Sequence, residues 1–255
     1  MKISVITICF NNEQDIRPTI ESVINQTYED IEYIVVDGGS NDKTLEILNE
    51  YSNNISSIIS EPDKGIYDAI NKGFKIASGE VVGMIHAGDK LYDNRVIEDI
   101  ANHFERFSPD IIYGHSKIVD KKGKAKRINR SPEYKRRLVR YGWMPSHQSI
   151  YVKRNLLEKL GYYRTDLMGI ADYEWFVRYF YVNNLKIKRL DRFILLFSLG
   201  GISTKNYMER LKPKSKNAVK QCWIENEIKP PFGIVYFKLL RKIKQFTLAL
   251  IDSEI

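Results

Sequence analysis

The chain has 255 residues, of which 43% are hydrophobic, so it can bury a sizeable core and a wholly disordered protein is excluded. Its formal net charge of +8 indicates polyanionic neighbours, which include phosphorylated ligands, nucleic acid and anionic membrane surfaces. No run reaches the roughly 20 apolar residues of a membrane-spanning helix, and the only cysteines, Cys9 and Cys222, lie far apart, which excludes a disulfide framework.

Apolar runs alternate with helical periodicity in the first third of the chain. Residues 3–9, 32–37, 55–60 and 80–86 predict four buried strands. Three helices are predicted between them from apolar residues at helical spacing: Ile16, Ile20, Val23 and Ile24, then Leu45, Leu48 and Tyr51, then Ile66, Ala69, Ile70, Phe74 and Ala77. Strands that alternate with helices in this order predict a mainly parallel sheet in an α/β fold.

The pattern is looser from about residue 110 onward. Further strands are predicted at 110–114, 148–152 and 193–198, with a helix from Asp172 to Val182. The basic stretch 121–130 is typical of a solvated loop or hairpin. The sequence contains no internal repeat.

The segment 234–251 is predicted to form a basic amphipathic helix. Its apolar side carries Tyr236, Leu239, Leu240, Ile243, Phe246 and Leu250, and its basic side carries Lys238, Arg241, Lys242 and Lys244. Such a helix can lie in the interface of an anionic membrane, or it can pack on the domain as a terminal helix. Both interpretations stay open.

Polar and aromatic residues follow each of the first four predicted strands. Ligands of open α/β sheets bind at these strand ends, which here carry the segments 10–12, 37–40, 61–65 and 86–89. An aromatic ring can stack on a base, and carboxylates can bind a ribose or a divalent cation. Any one segment could be an ordinary turn. The four together indicate a site for a nucleotide diphosphate.

Several long segments resemble those of the family 2 glycosyltransferases. They are VITICFNNE, QTYEDIEYIVVDGGSNDKT, SEPDKGIYDAINKG, ASGEVVGMIHAGD and ADYEWFVR. The resemblance covers roughly residues 2–205 and is greatest to the branch that builds bacterial exopolysaccharide, capsule or O-antigen. It implies the GT-A fold, a Rossmann-like mixed, mostly parallel sheet with flanking helices, over residues 1–205. A helical, basic extension would then occupy residues 206–255.

The resemblance also implies an activity and a donor site. The enzyme would be an inverting glycosyltransferase that moves a sugar from a UDP-sugar, or from another nucleotide-sugar, to a saccharide hydroxyl. Phe10 and Asp37 would hold the base, and further donor contacts would come from Asp63, Asn71, Lys72 and Gly88.

A metal site is implied at the end of the fourth predicted strand. Asp89 matches the last acidic residue of the family's DXD element, which would hold Mg²⁺ or Mn²⁺. His86 and Gly88 stand where acidic residues often occur, so Asp89 is alone. The cation would then depend on the pyrophosphate and water, or His86 would assist.

The acceptor side should contain a base, because inversion by a single displacement requires removal of the acceptor hydroxyl proton. Asp172 matches the family's catalytic acidic residue, and Glu174 is the reserve candidate; a favoured carboxylate at a helix start is the structural alternative for Asp172. His147 and Gln148 could position sugar hydroxyls or serve the structure. Trp143 and Trp175 could stack on sugar rings or belong to the core, and Arg178 could pair with a carboxylate or support the site. The loop 200–203 resembles a family loop near the donor phosphates.

The expected partners are a nucleotide-sugar and a saccharide or lipid-linked saccharide acceptor. We expect a cytoplasmic protein, peripheral to the inner membrane face, because no targeting segment is visible and the cysteines suit a reducing compartment. A sugar-phosphate nucleotidyltransferase is the first alternative, but residues 10–13 are not its glycine-rich phosphate loop. A basic nucleic-acid-binding protein is the second, and it would interleave basic residues with stacking aromatics. No nucleic acid partner is expected.

Overall fold

The computed structural model describes residues 1–120, 123–167, 169–198, 213–234 and 236–237. All the elements predicted in the first third of the chain are confirmed. They are β1 (Ile3–Cys9), α1 (Ile16–Ile24), β2 (Ile31–Asp37), α2 (Thr44–Glu50), β3 (Ser57–Ser60), α3 (Ile66–Ile76) and β4 (Val81–His86).

The second part of the chain contains more regular structure than the sequence predicts. Its elements are β5 (Lys90–Leu91), α4 (Val96–Phe107), β6 (Ile111–Val119), β7 (Ala125–Asn129), α5 (Arg136–Arg140), β8 (Ile150–Lys153), α6 (Arg154–Leu160), α7 (Ala171–Val177), β9 (Ile187–Ser198) and α8 (Pro213–Ile224). A π-helical turn over Arg178–Val182 extends α7, as the predicted helix requires. β6 and β7 pair antiparallel, which confirms a hairpin around the basic stretch.

The described strands form one mixed sheet in the order β3-β2-β1-β4-β8-β6-β9-β5, and β7 pairs with β6. β1 is parallel to both β2 and β4, and β3 is parallel to β2. β8 is antiparallel to β4 and to β6, so those two strands run in the same direction. β9 is parallel to β6. The carboxyl ends of β1, β2, β4, β6 and β9 therefore point toward one edge of the molecule, hereafter the rim.

Apolar side chains cover both faces of the sheet, which explains why the central strands are continuous apolar runs. One face packs against α3, α6, α7 and α8, and the other against α1, α2 and α4. Cys222 is buried in the first layer and Cys9 in the second, and no disulfide joins the two thiols. The prediction that no disulfide framework holds the chain is confirmed.

The described part of the C-terminal region packs on the main domain. The Trp223 side chain is fully buried and its indole N–H donates to the Tyr173 hydroxyl over 3.1 Å. The predicted boundary at 205 and the loop 200–203 lie outside the described residues. Of the predicted helix over 234–251, only Ile234, Tyr236 and Phe237 are described. Within the described ranges, no helix is both long and apolar enough to cross a bilayer.

Candidate active site

An aromatic ring and a carboxylate face each other where β1 and β2 end. The Gly38 amide donates to the Cys9 carbonyl, which joins the two strand ends. A Cβ atom on Gly38 would lie 2.4 Å from Asp63 Oδ2 and 3.4 Å from Phe10 Cδ2. The Phe10 ring is 56% exposed, so one face is open for stacking. We call these three neighbouring residues, Phe10, Gly38 and Asp63, the base slot, because an exposed ring and a carboxylate lie close together over a glycine there.

Asp37 lies beneath this slot and is fully buried. Its carboxylate accepts hydrogen bonds from the hydroxyls of Ser40 and Ser60 and from the amides of Gly39 and Ser40. These bonds close the turn after β2, as expected for an Asx-type carboxylate. The predicted contact of Asp37 with the base stays a prediction, and Asp63 supplies a second, more accessible carboxylate at this point.

Replacing Gly38 with alanine should weaken donor binding about tenfold, because the new methyl group overlaps the Asp63 carboxylate and pushes it out of the slot. The Gly38 backbone is not left-handed, so alanine adds no backbone strain there and the only conflict is with the Asp63 side chain. Calorimetric titration with a nucleotide-sugar measures the loss. In Asp63→Ala, adding Gly38→Ala should cost much less, and fully additive losses would contradict the overlap.

Asn71 and Lys72 brace the rim. The buried Asn71 amide donates to the Tyr163 carbonyl and accepts from the Tyr163 amide. Lys72 Nζ lies 2.8 Å from Glu61 Oε1 and donates to the Pro62 carbonyl, and the Glu61 hydrogen bond raises the lysine pKa. Both side chains were expected to contact the donor. In this structure the two side chains instead hold the segments that carry Asp63 and Tyr163.

The turn after β4 presents Asp89 beside the base slot. Gly88 has a left-handed backbone with φ of 92°, which glycine adopts without strain. Thr19 Oγ1 accepts from the Gly88 amide and donates to the Asp89 carbonyl, and this pair of bonds fixes the turn. The Asp89 side chain accepts from Gln148 Nε2 over 2.8 Å and from the Ser198 amide over 3.0 Å. Burial raises the pKa of this carboxyl to about 6.

Gln148 joins Asp89 to β4. Its side-chain oxygen accepts from the His86 amide, and its side-chain nitrogen donates to Asp89. The residue is 2% exposed and both amide atoms are occupied. In this structure the Gln148 amide positions the Asp89 carboxylate, and its contact with an acceptor stays a prediction.

His147, the residue before Gln148, lies at the part of the rim that carries Asp172. Its Nδ1 is 3.8 Å from Asp172 Oδ2, and its ring centroid is 5.1 Å from that of His86. Burial, followed by the nearby His147, holds the pKa of His86 well below its ordinary value, so this imidazole is neutral at pH 7. Within the described residues, Nε2 of each histidine is buried without a hydrogen-bond partner.

Asp172 stands at the start of α7 with a side chain that is 28% exposed. Its Oδ1 accepts from the Tyr173 amide, while Oδ2 is the oxygen nearest to His147. The predicted base and the predicted helix-start carboxylate are therefore compatible readings of one geometry. The carboxylate is anchored through one oxygen and accessible from the rim.

Glu174 and the two tryptophans lie in the interior. Glu174 pairs with Arg178 through two N–O contacts of 2.9 Å, and Arg178 also donates to the carbonyls of Gly161 and Tyr162. Trp143 is buried against Tyr113, Tyr134, Phe176 and Phe180, and Trp175 is stacked between Tyr163 and Tyr179. Burial leaves Trp143 no open ring face for a sugar, which corrects its predicted role, and it excludes Glu174 as a reserve base.

The Asp89 carboxylate has the chemistry to bind a hard divalent cation. In the part of the chain that the structure describes, no group of three or more His, Cys, Asp or Glu side chains could hold a metal. Mg²⁺ and similar ions are commonly bound through one or two carboxylates together with substrate phosphates. Asp89 fits that arrangement, because its two hydrogen bonds leave lone pairs free on both oxygens.

The base slot and the Asp89–Asp172 region share one rim. Ile8 of β1 is in register with His86 of β4, and the Ala87 amide donates to the Ile8 carbonyl. Adjacent strands lie about 4.8 Å apart, so the ends of β2, β1 and β4 present their residues side by side. Gly38 lies within the predicted strand-end segment 37–40, whereas Thr19, which fixes the turn that carries Asp89, is not predicted from the sequence. A glycine directly after the strand-end aspartate is the signal that could have identified the slot.

Comparison with known proteins places this geometry in a family. The model of glycosyl transferase family 2 matches residues 4–166. A PGL/p-HBAD biosynthesis glycosyltransferase from Mycobacterium bovis is 27% identical over 229 residues, which cover 85% of this chain and 86% of that protein. An uncharacterized glycosyltransferase from Mycobacterium tuberculosis is 31% identical over 180 residues, which cover 69% of this chain and 68% of that protein.

Solved structures show the same architecture. S. aureus TarS residues 1–349 with UDP superposes with a TM-score of 0.69 at 20% identity, covering 93% of this chain and 68% of that one. The mannosyltransferase PcManGT from Pyrobaculum calidifontis, in complex with GDP-Man and Mn²⁺, gives 0.67 at 16% identity, covering 99% and 75%. The match to a longer TarS chain spans 39% of that chain. The predicted GT-A fold is thus confirmed, and the chain belongs to glycosyl transferase family 2.

Proposed function

We propose that the chain is an inverting glycosyltransferase that moves a sugar from a UDP-sugar to a hydroxyl of a saccharide acceptor with the help of Mg²⁺ or Mn²⁺. The observation that carries the proposal is the shared rim, which brings the base slot, Asp89 and Asp172 to one side of the sheet. A nucleotide-sugar has a base, a diphosphate and an anomeric carbon in the same linear order.

The base slot supports a nucleotide donor. The Phe10 ring would stack on the base, and the Asp63 carboxylate would accept a hydrogen bond from a base or ribose donor group. UDP is our first choice because TarS has been solved with UDP and with UDP-GlcNAc. GDP-mannose is the second, because PcManGT has been solved with it.

Asp89 would hold the cation against the donor diphosphate. Such an ion stabilises the negative charge that develops on the departing nucleotide diphosphate. Gln148 and the Ser198 amide fix the position of the Asp89 carboxylate, and Thr19 fixes the turn that carries it.

Asp172 would act as the general base. The acceptor oxygen attacks the anomeric carbon from the face opposite the diphosphate, so one carbon–oxygen bond forms while the bond to the phosphate oxygen breaks. The hydroxyl proton passes to the Asp172 carboxylate as the attack proceeds. The proximity of the His147 imidazole, 3.8 Å from Oδ2, helps to orient that oxygen.

The acceptor of this proposal is a lipid-linked saccharide in the synthesis of a cell-surface polysaccharide. The enzyme would act in the cytoplasm at the inner face of the plasma membrane, with the segment 234–251 touching anionic lipid. The sequence resemblance to exopolysaccharide, capsule and O-antigen enzymes and the basic, apolar sequence of that segment support this proposal.

Thermal unfolding with different nucleotides tests the donor proposal. A ligand at 100 times its dissociation constant adds about 2.7 kcal/mol to the free energy of unfolding. We expect a UDP-sugar with MnCl₂ to raise the melting temperature, and EDTA to remove most of that rise. Phe10→Ala should lose the stabilisation, whereas the matched control Phe232→Ala, also an exposed phenylalanine, should keep it. Stabilisation by RNA, and by no nucleotide-sugar, would contradict the proposal.

A further inference from the structure

A basic and aromatic surface lies away from the base slot, around α5 and the segment that follows α8. Its aromatic members are Tyr141, which is 50% exposed, Phe232, which is 99% exposed, and Tyr236, which is 68% exposed. Its basic members are exposed as well: Lys135, Arg136, Arg137, Arg140 and Lys229. We call this set the basic aromatic surface.

Direct contacts join the two segments of this surface. The rings of Tyr141 and Phe237 meet edge to face, with centroids 5.3 Å apart. Arg136 Nε donates to the Tyr181 carbonyl, and an Arg140 guanidinium nitrogen donates to the Tyr181 hydroxyl. The Tyr181 ring in turn contacts the buried Trp223 of α8. These contacts hold Tyr141, Arg136 and Arg140 of the basic aromatic surface against the described core.

The described ranges supply no ion-pair partner for the basic members of this surface. Among the described residues, no carboxylate forms an ion pair with any of its five basic members, although seventeen ion pairs are found elsewhere in the same part of the chain. Glu133 and Glu225, which are near in sequence, pair instead with Arg189 and Arg164. As far as the described residues show, the patch thus combines basic side chains that lack an ion pair with exposed aromatic rings.

We propose that the basic aromatic surface docks on the face of a bilayer that contains anionic lipid. Aromatic rings prefer the headgroup level of a membrane, and arginine and lysine are drawn to its negative surface potential. Phe232 follows Pro230 and Pro231, and its ring is almost fully exposed, so it can enter a bilayer without first leaving a packed site. Insertion of this ring and electrostatic attraction of the arginines act in the same direction.

Charge and composition distinguish the bilayer from other occupants. A second copy of this chain, related by a two-fold axis, would bring the arginines of one α5 near those of the other, which is unfavourable. A nucleic acid would suit the charge, but the sequence that follows Phe237 continues with the aliphatic residues Leu239, Leu240 and Ile243. Aliphatic side chains insert into lipid and do not stack on bases.

Docking through this surface would bring the acceptor side of the enzyme toward the lipid headgroups. Tyr141 is six residues before His147, which begins the turn His147–Ser149. In this turn Gln148 contacts Asp89 and His147 lies near Asp172. Docking deepens the membrane location stated in the proposed function and rests on it, but it is independent of the donor and of the chemistry at Asp172. An acceptor with its lipid anchor in the bilayer could then reach Asp172 while the enzyme stays at the surface.

Flotation of the full chain with vesicles tests the docking. The vesicles contain phosphatidylcholine alone, or phosphatidylcholine with an equal amount of phosphatidylglycerol. We expect binding to the anionic vesicles that weakens as salt is added. Arg137→Gln should weaken it about fivefold, as for the loss of one basic residue near anionic lipid. Phe232→Ala should weaken it about tenfold by removing the buried ring.

The control Lys2→Gln with Ile76→Ala removes one exposed basic and one exposed apolar side chain elsewhere, and it should bind like the parent. Nucleotide-sugar stabilisation of Arg137→Gln with Phe232→Ala reports on the proposed function separately and should match the parent. Failure of the parent to float with anionic vesicles would overturn the docking proposal. Equal flotation of the parent and of Arg137→Gln with Phe232→Ala would overturn it too. So would a parent that does not float but forms a dimer or an RNA complex which this double variant fails to form.

Discussion

Asp172→Asn should bind the donor like the parent and lose about a thousandfold in kcat, within the range that a general base contributes. Asparagine can still accept the Tyr173 amide hydrogen bond through its oxygen, so the start of α7 should stay intact. What disappears is the carboxylate oxygen that faces His147 and would take the acceptor proton. Initial rates at saturating donor and acceptor give kcat, and calorimetry gives the donor affinity.

Glu174→Gln is the matched control, because it neutralises a carboxylate in the same turn of α7. It breaks the charge balance of a buried pair with Arg178, so we expect a lower melting temperature and a nearly normal kcat for the folded protein. If Glu174→Gln abolished transfer in a fully folded protein while Asp172→Asn kept full activity, the base would have been assigned to the wrong carboxylate.

Periodicity predicted the elements whose burial is uniform and missed those whose pairing partners are distant. β1, β2 and β4 are buried on both faces, so each is a continuous apolar run. β9 begins at Ile187, but only its apolar second half is predicted, because residues 188–192 are mostly charged and partly exposed. Their strand conformation comes from pairing with β6, which no local pattern reports. The amphipathic helix α4 has clear helical spacing and could have been predicted.

The sequence predicts which strand ends carry the candidate site, but it does not predict which of their side chains are buried and which are exposed. A residue at the end of a strand can face the ligand or lie below the surface, and the difference depends on partners from elsewhere in the fold. Asn71 is satisfied by Tyr163 and Gln148 by Asp89 and His86, and these contacts span 59 or more residues. Asp37 is closed off by Ser60 from β3. Spacing along the chain carries no information about such long-range bonds.

Asp89→Asn should lower kcat by two to three orders of magnitude, because removing a positioned charge-stabilising group at a developing anion costs about that much. The asparagine oxygen can accept from Gln148 or from Ser198 but not from both, and the diphosphate would lose the negatively charged partner that shares its cation. Added Mn²⁺ should raise the rate of the parent much more than that of the variant. The matched control is Asp93→Asn, an exposed aspartate after β5 that pairs with Arg192 and lies outside the proposed site.

The pH dependence of metal binding follows from the burial of Asp89. Its pKa of about 6 in the fold exceeds the ordinary value of 3.8, so the folded protein holds the proton more tightly than the unfolded chain. The metal-free parent therefore loses stability, relative to Asp89→Asn, as the pH rises through this interval.

Mn²⁺ must displace the same proton. Its apparent affinity should therefore decrease by up to about tenfold for each pH unit below about pH 6, and it should be constant above that pH. Calorimetric titration of Mn²⁺ at several pH values is done in the presence of a UDP-sugar, because its diphosphate, unlike the terminal phosphate of UDP, does not titrate in this interval. The parent and Asp93→Asn should show this curvature, and Asp89→Asn should not. A flat profile in the parent would mean that the cation is held without the Asp89 carboxylate, since a proton on that group would then leave binding unchanged.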